Sequence, residues 1–492
     1  QRDAISRGLS AAPTQIAYYE DGSPALGYNE TSQTPLFYTY YTDNTSIKKH
    51  VSLAGNLRWE IMPGWTLSGT ASYYSVEGKS STFLRSNYYD QSRPATSLWD
   101  ETRRLKTDAY TQYKKTVADV HSLDFMAGFS WQDRRYEKLL GEGYGGSSDK
   151  ISTLDAASVT TSSSTINEDA QMGFFARANY EYDNKYLLTL VARYDASSKF
   201  MKDNRWGFFP GVSAGWIVTE EPWMKQVKRI DYLKARVSLG QTGNNNIGIN
   251  DAMGKYTATY TYNGNAAIRG TTMPNANLFW ETTTQLDAGF EIGLLRNRIY
   301  LTADYYDKYT TGLLFDKNLP NTSGYSKVTT NLGTVRFWGF EFELTTKNIE
   351  TQDFSWETKL VYSLNRNVVV KLPDNGMDKN RTETTDYPMY TNGDGTYYGG
   401  LAEGEPLYRF YGYKAIGIYQ TDEEAAKAPY DQLARGFDYR DGTTVAGRKF
   451  AGDYNWADRN GDGVITTAST DDEALKAARA TLAKMTLEEK TM

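Results

Sequence analysis

Few residues of this chain are of types that do covalent chemistry. It has no cysteine and two histidines, His50 and His121, which removes thiolate nucleophiles, disulfide frameworks and cysteine-bound metal centres and leaves histidine triads a poor fit. The 60 acidic residues cannot be sorted into a glycosidase pair by spacing, because the required separation of roughly 5 to 9.5 Å is a distance in space. Glu220 and Glu221 read as a solvated turn rather than an acid/base pair. Two non-covalent chemistries fit better. Asp458-Arg-Asn460-Gly-Asp462-Gly-Val-Ile465 sets side-chain oxygens at relative positions 1, 3 and 5 with glycine at 6, the order in which a calcium loop wraps a hard cation. Asp458, Asn460 and Asp462 are therefore candidate calcium ligands; position 12, which a full loop fills with a carboxylate, is Ser469, and an Asx- and glycine-rich turn is the competing reading. The second chemistry is ring stacking. Phe37-Tyr38, Tyr40-Tyr41, Tyr397-Tyr398 and Tyr408, Phe410, Tyr411 and Tyr413 group rings whose π-faces suit the C–H faces of sugars. Tyr40, Tyr41, Tyr397, Tyr398 and Tyr411 are the candidate ligand contacts, with a girdle or loop-packing role as the alternative.

The elements that must position these residues follow from pattern and composition. Lys+Arg 54 against Asp+Glu 60 gives a net charge of -6, so no basic excess is available for a nucleic-acid backbone. Mean hydropathy is -0.62, and no run of about 18 apolar residues exists to form a spanning helix. A membrane, if met, is crossed by strands. Aromatic residues make up 14% of the chain, dominated by 39 Tyr, which suits amphipathic rings at a boundary between apolar and wet.

Segments of about ten residues alternate apolar with polar, the period of a strand whose faces see different solvents. Phe174, Ala176, Ala178, Tyr180 and Tyr182 alternate with Phe175, Arg177, Asn179 and Glu181; Leu286, Ala288, Phe290 and Ile292 with Asp287, Gly289 and Glu291; Phe340, Phe342 and Leu344 with Glu341 and Glu343. Trp356 to Leu364 repeats the pattern. A β-sandwich alternates too, so the joins discriminate. Short polar joins near 62–65, 117–120, 183–185, 220–229, 295–298 and 348–353 take turns with long ones near 76–106, 133–170, 196–208, 241–282, 309–335 and 366–450. Short turns at one end and long loops at the other are the habit of outer-membrane barrels. About twelve strands are expected.

Arg193-Tyr-Asp-Ala-Ser-Ser-Lys-Phe200, Asn204-Arg-Trp-Gly-Phe-Phe-Pro210, Ser213-Ala-Gly-Trp216, Glu220-Glu-Pro222, Leu233-Lys-Ala-Arg236 and Gly240-Gln-Thr-Gly-Asn244 resemble, in order and spacing, the barrel of the SusC/RagA family of TonB-linked outer-membrane transporters. Pro274-Asn-Ala-Asn-Leu278, Trp280-Glu-Thr-Thr283, Asp304-Tyr-Tyr-Asp-Lys308, Gly339-Phe-Glu-Phe-Glu343 and Gly404-Glu-Pro406 continue the pattern. The resemblance is strong over 170–465 and loose before it. It implies an all-β fold, an antiparallel transmembrane β-barrel segment that forms part of a 22-stranded barrel, in the cell outer membrane. It also implies partners: a SusD-like surface lipoprotein, membrane lipid, and the TonB complex through a plug domain that is not present in this chain. The chain therefore reads as an internal barrel fragment that performs no covalent chemistry and imports an oligosaccharide. The alternatives are a peptide importer of the same family and a secreted soluble β-protein that binds glycans through its tyrosine-rich loops.

The expected organisation is a loop or barrel start over 1–50, barrel strands with long extracellular loops over 51–366, and a long loop region with the calcium-like loop over 367–470. A helical tail over 471–492 follows, with Ala474, Leu475, Ala478, Leu482 and Met485 at helix-like spacing. Its Ala478-Arg-Ala-Thr-Leu-Ala-Lys-Met-Thr-Leu-Glu-Glu-Lys490 resembles the opening helix of family 3 glycoside hydrolases. It brings no catalytic residue, so no enzymatic activity is expected from it. A solvated amphipathic helix explains it equally well.

Overall fold

The computed structural model describes residues 8–9, 11, 14–27, 33–384, 387–391, 397–407, 414–431, 434, 436, 443–445, 447–458 and 464–465. The expected helical tail over 471–492 lies outside them. The chain forms two compact units, Gln1–Val212 and Ser213–Met492.

The first unit begins with α1 (Pro35–Tyr40), whose entry is capped by the Thr34 hydroxyl accepting the Phe37 N–H, and continues as an antiparallel meander. Its strands are β1 (Thr42–Met62), β2 (Trp65–Leu84), β3 (Ala95–Val117), β4 (His121–Tyr144), β5 (Val159–Tyr182) and β6 (Tyr186–Ser197), each beside its sequence neighbour. β7 (Trp206–Ile217) runs across the division. Short joins at 63–64, 118–120 and 183–185 agree with expectation because their residues accept left-handed backbone. Ala118 and Asp119 have φ of 52 and 58°, and Asp183 and Asn184 have 52 and 54°; Asp and Asn tolerate this region better than most residues. At Gly64, φ 83°, a Cβ would sit 2.3 Å from the Lys114 carbonyl oxygen, so that turn admits only glycine.

The second unit contains β8 (Ile230–Asn244), β11 (Glu281–Leu294), β12 (Ile299–Asn318) and β13 (Lys327–Glu350) in that spatial order, with β14 (Ser355–Lys371) also on β13. The hairpin β9 (Lys255–Tyr262) and β10 (Asn265–Met273) lies in the join between β8 and β11 and touches β13 in parallel at Thr272 and Met273. Among the described residues, twelve strands are 12 residues or longer, the number the alternation predicts.

The long joins are shorter than expected. Strands β4, β5 and β13 are each 24 residues, more than twice the 9 to 11 or so that a tilted strand needs to cross hydrocarbon. Much of 76–106 and 133–170 is therefore paired strand, and the joins shrink to 85–94 and 145–158. Where both faces meet water, alternation fades while backbone pairing persists.

Register keeps every residue on its expected face. Phe125, Ala127 and Phe129 of β4 oppose Ala178, Ala176 and Phe174 of β5, which oppose Leu190, Ala192 and Tyr194 of β6. These residues form the apolar face of the first unit. Its large side chains stand exposed, including Leu53, Leu57, Trp59, Phe125, Phe174 and Leu190, an arrangement that needs an apolar solvent rather than water. Buried apolar residues gather elsewhere, as in Val335, Val369, Leu372, Leu401 and Leu407 where the chain folds back beyond β14.

Candidate functional site

Two aromatic levels bound the apolar face. Trp65 and Tyr73 on β2, His121 and Phe129 on β4, Tyr182 and Phe174 on β5, and Tyr186 and Tyr194 on β6 are each eight positions apart along their strand. That is about 26 Å of strand, which after tilt approaches the height of the apolar band of an outer-membrane barrel. The levels are continuous across strands: His121 lies 5.0 Å from Tyr182, which lies 6.3 Å from Tyr186, and at the other level Phe129, Phe174, Trp206 and Tyr194 follow at 5.4, 6.3 and 4.5 Å. Residues Ala176, Ala178, Leu188 and Leu190 fill the space between.

The opposite face is polar and internally bonded. Gln112 donates to Asp124 at 2.7 Å, and Arg177 lies 3.9 Å from the same carboxylate. In the second unit Arg236 lies 2.8 Å from Asp304 and 3.7 Å from Glu291, and the Tyr300 hydroxyl donates to Glu291 at 2.8 Å. In each unit these polar side chains suit an aqueous lumen, as the inner face of a barrel wall requires.

The candidate tyrosines divide between the units. In the first, Tyr40 and Tyr41 close α1: their rings meet edge to face at 4.9 Å, and Tyr41 stacks on Phe37 at 5.3 Å. Arg85 donates to the Tyr40 carbonyl at 2.7 Å, pairs with Asp43 at 2.8 Å and sets its guanidinium 5.9 Å from the Tyr40 ring centre. Burial pushes the Tyr41 hydroxyl above the ordinary tyrosine range, so Tyr41 packs while Tyr40 stands exposed. In the second unit, Tyr397 and Tyr398 belong to a small hairpin, β15 (Met389–Thr391) with β16 (Tyr397–Gly399). Tyr398 stacks on Tyr390 at 5.4 Å, and Tyr390 and Tyr397 are about half exposed, at 48% and 47%.

A buried ionic platform holds this hairpin. Glu405, 3% exposed, accepts from Arg381 at 3.0 Å and from Lys379 at 2.7 Å. Arg381 also donates to the Gly399 carbonyl at the foot of β16, and Thr382 exchanges two backbone bonds with Leu401. Arg381 and Lys379 were not legible as functional from sequence; the only trace is the Gly404-Glu405-Pro406 motif.

Of the remaining candidates, Asp458 is half-buried just after β19 (Tyr454–Trp456), while Asn460, Asp462 and Tyr411 lie outside the described residues. Of the Glu220-Glu221 pair, only Glu221 departs from the expected solvated turn. Glu220 is exposed, but Glu221 is buried, and its carboxylate accepts the Trp216 indole N–H at 3.1 Å. An indole donor and the apolar ring beside it replace the water expected at that turn.

A family model described as "TonB dependent receptor-like, beta-barrel" matches residues 3–472. TonB-dependent receptor P3 of Formosa agariphila is 31% identical over 479 residues, covering 95% of this chain and 46% of its own length. TonB-dependent receptor SusC of Bacteroides thetaiotaomicron is 30% identical over 331 residues, 64% of this chain and 32% of its own length. The RagAB peptide transporter shares the fold, with a TM-score of 0.70 at 22% identity over 82% of this chain and 44% of that one. The chain thus spans about half the length of P3 and a third of that of SusC. These relatives are receptors and transporters, not enzymes, and the outer-membrane location of their barrels sets aside the soluble secreted protein. The exposed apolar face, bounded by two aromatic levels and backed by a polar one, is the wall of a transmembrane barrel, and the chain belongs to the TonB-dependent receptor family of outer-membrane β-barrels, of the SusC/RagA type.

Proposed function

We propose that the protein serves TonB-driven uptake of an oligosaccharide across the outer membrane, with this chain supplying wall and extracellular loops beneath a SusD-like surface lipoprotein. The observation that carries the reading is the tyrosine hairpin: Tyr390, Tyr397 and Tyr398 present rings at the loop end of the second unit on a platform fixed by Glu405 and Arg381. Rigid rings lose little conformational entropy on meeting a ligand, and sugar C–H faces are their natural partners. The relation to SusC supports the same direction. The energising contact with TonB belongs to a plug domain of the whole protein. The likeness to RagAB is one of fold alone and does not argue for a peptide cargo.

The experiment is uptake of labelled oligosaccharides by cells carrying the native protein or its Tyr397→Ala/Tyr398→Ala variant. Saturable glycan uptake that the double variant slows about tenfold is the expected result. Saturable uptake of peptides with none of glycans would overturn it in favour of the peptide importer.

We further propose that Asp458, Asn460 and Asp462 bind calcium in the long loop region. Oxygen ligands at this spacing suit a hard cation. Calorimetric titration of the chelator-treated protein gives a saturable calcium isotherm, absent in Asp462→Asn; a flat trace with the native protein would remove calcium from the account.

A further inference from the structure

We propose that the tyrosine hairpin takes an uncharged oligosaccharide and turns away sulfated and uronate-rich ones; this rests on the glycan reading of that site and names the charge class of its cargo. Between Lys371 and Arg409, which bracket the loop, the chain carries seven acidic residues and two cations, Lys379 and Arg381. Taken from totals of 60 and 54, these leave 53 acids against 52 cations in the rest of the chain. Nearly all of the net charge of -6 is thus placed in the one loop that carries Tyr390, Tyr397 and Tyr398.

Folding takes both cations out of a ligand's reach. Arg381 is 5% exposed and donates to Glu405 and to the Gly399 carbonyl, and Lys379 donates to Glu405 as well. Glu403 is half-buried and accepts the Leu372 N–H and the Asn380 side-chain amide, both at 2.9 Å. Lys379, Arg381, Glu403 and Glu405 carry no net charge between them. What is left toward solvent is anionic: Asp374, Asp378 and Glu383 are exposed, while Asp386 and Asp394 lie outside the described residues. The three exposed carboxylates stand on the same fold that holds the hairpin. The Arg381 N–H donates to the Asp378 carbonyl at 3.1 Å, and Asn375, next to Asp374, donates to the Arg381 carbonyl at 2.7 Å. Glu383 sits between Thr382, which is paired with Leu401, and Thr384, which exchanges backbone bonds with Tyr387.

The first unit shows the same composition independently. No Lys or Arg occurs between Arg7 and Lys48, the stretch that carries Tyr18, Tyr19, Tyr40 and Tyr41, and its Glu20 and Asp21 are exposed. Burial first, then Tyr40, Tyr19 and Asp21, raise the Tyr41 hydroxyl, so these groups share one neighbourhood. The arginines of the 85–94 join are already engaged, Arg85 with Asp43 at 2.8 Å and Arg93 with Asp149 at 2.6 Å. Solubility is served by charges of mixed sign, so it does not account for one sign prevailing around the rings of both units. Rings and carboxylates together suit a neutral sugar: the rings cover its C–H faces and the carboxylates accept from its hydroxyls. A sulfate or uronate brings only further acceptors and the same sign of charge. Like charges set face to face reject the wrong partner.

The test is an array of neutral gluco-, manno-, galacto-, xylo- and fructo-oligosaccharides, each beside its chemically sulfated counterpart, with oligogalacturonates added. It is probed with the labelled whole protein, extracted from its outer membrane in mild detergent, at about 20 mM and about 500 mM salt. The expected result is binding of a neutral member and at least about tenfold weaker binding of its sulfated counterpart at low salt, with the ratio shrinking at high salt as the charges are screened. The Asp374→Asn/Asp378→Asn/Glu383→Gln variant, altered only at exposed positions, should narrow the ratio at low salt while keeping the gel shift on boiling that marks a folded barrel. Sulfated or galacturonate members bound as tightly as neutral ones overturn the proposal and leave oligosaccharide import standing. A ratio that neither salt nor the variant changes overturns it too, because the bulk of the sulfates and not their charge would then set the preference. No binding to any glycan removes the oligosaccharide reading itself, and this inference with it.

Discussion

At the scale of single residues, the site depends on a buried charge. Glu405 is nearly inaccessible and holds both Arg381 and Lys379, and Arg381 in turn fixes the Gly399 carbonyl beneath Tyr398. Removing one partner of a buried pair strands the other, at a cost of about 3 to 5 kcal/mol. Glu405→Ala should therefore release the hairpin, read as faster amide exchange over 397–401 with the β13–β14 ladder unchanged; unaltered exchange there would mean that the hairpin is held by its own strand pairing. The glutamate was visible in sequence within Gly404-Glu405-Pro406, but its partner 24 positions upstream was not. No local periodicity links an arginine in a loop to a carboxylate in another.

At the scale of elements, the joins between long strands are ordered by side-chain contacts. Asp149 in the 145–158 join accepts the Ser86 backbone N–H at 2.9 Å and the Arg93 guanidinium at 2.6 Å. The Ser86 N–H is the main cause that holds its carboxyl below the ordinary aspartate range; desolvation opposes it, and Arg93 adds to the lowering. A carboxyl depressed by folding contributes stability that is present above its unfolded value, about 3.9, and is lost as pH falls through the folded one. The tie between joins 85–94 and 145–158 should thus be intact at neutral pH and open only in acid below about pH 4. Exchange of the Ser86 amide against pH measures this, and Asp149→Asn should flatten the profile.

At the scale of the whole molecule, the decisive property is that one face of each wall strand, between the aromatic levels, is suited to lipid. Ala178 lies midway between Tyr182 and Phe174 on that face, and Asn179, its neighbour, points to the other. A cation at the bilayer midplane costs about 2 to 4 kcal/mol on the lipid side of a barrel. Ala178→Arg should cut the folded fraction in lipid, seen as loss of the gel species that shifts on boiling, while Asn179→Arg, beside Thr189 on the hydrated face, leaves it intact. Equal losses from both would contradict the assignment of faces.

Sequence alone determined which residues share a face, because strand period is two and the apolar set Phe174, Ala176, Ala178, Tyr180 and Tyr182 can lie on one side only. It also determined the short turns, where Asp183-Asn184 and Gly64 meet backbone demands that few residues satisfy. The resemblance in its motifs then led to the family that the barrel match established. Tertiary structure alone decided how far the strands run, because pairing continues into water where alternation no longer reports it. It also decided that Glu221 is buried against Trp216, and that Glu405 meets both Arg381 and Lys379, which leaves Asp374, Asp378 and Glu383 as the exposed charges of that loop among the described residues. Each of these is a contact between residues distant in sequence or a register between strands, and only the folded backbone brings such groups within reach of one another.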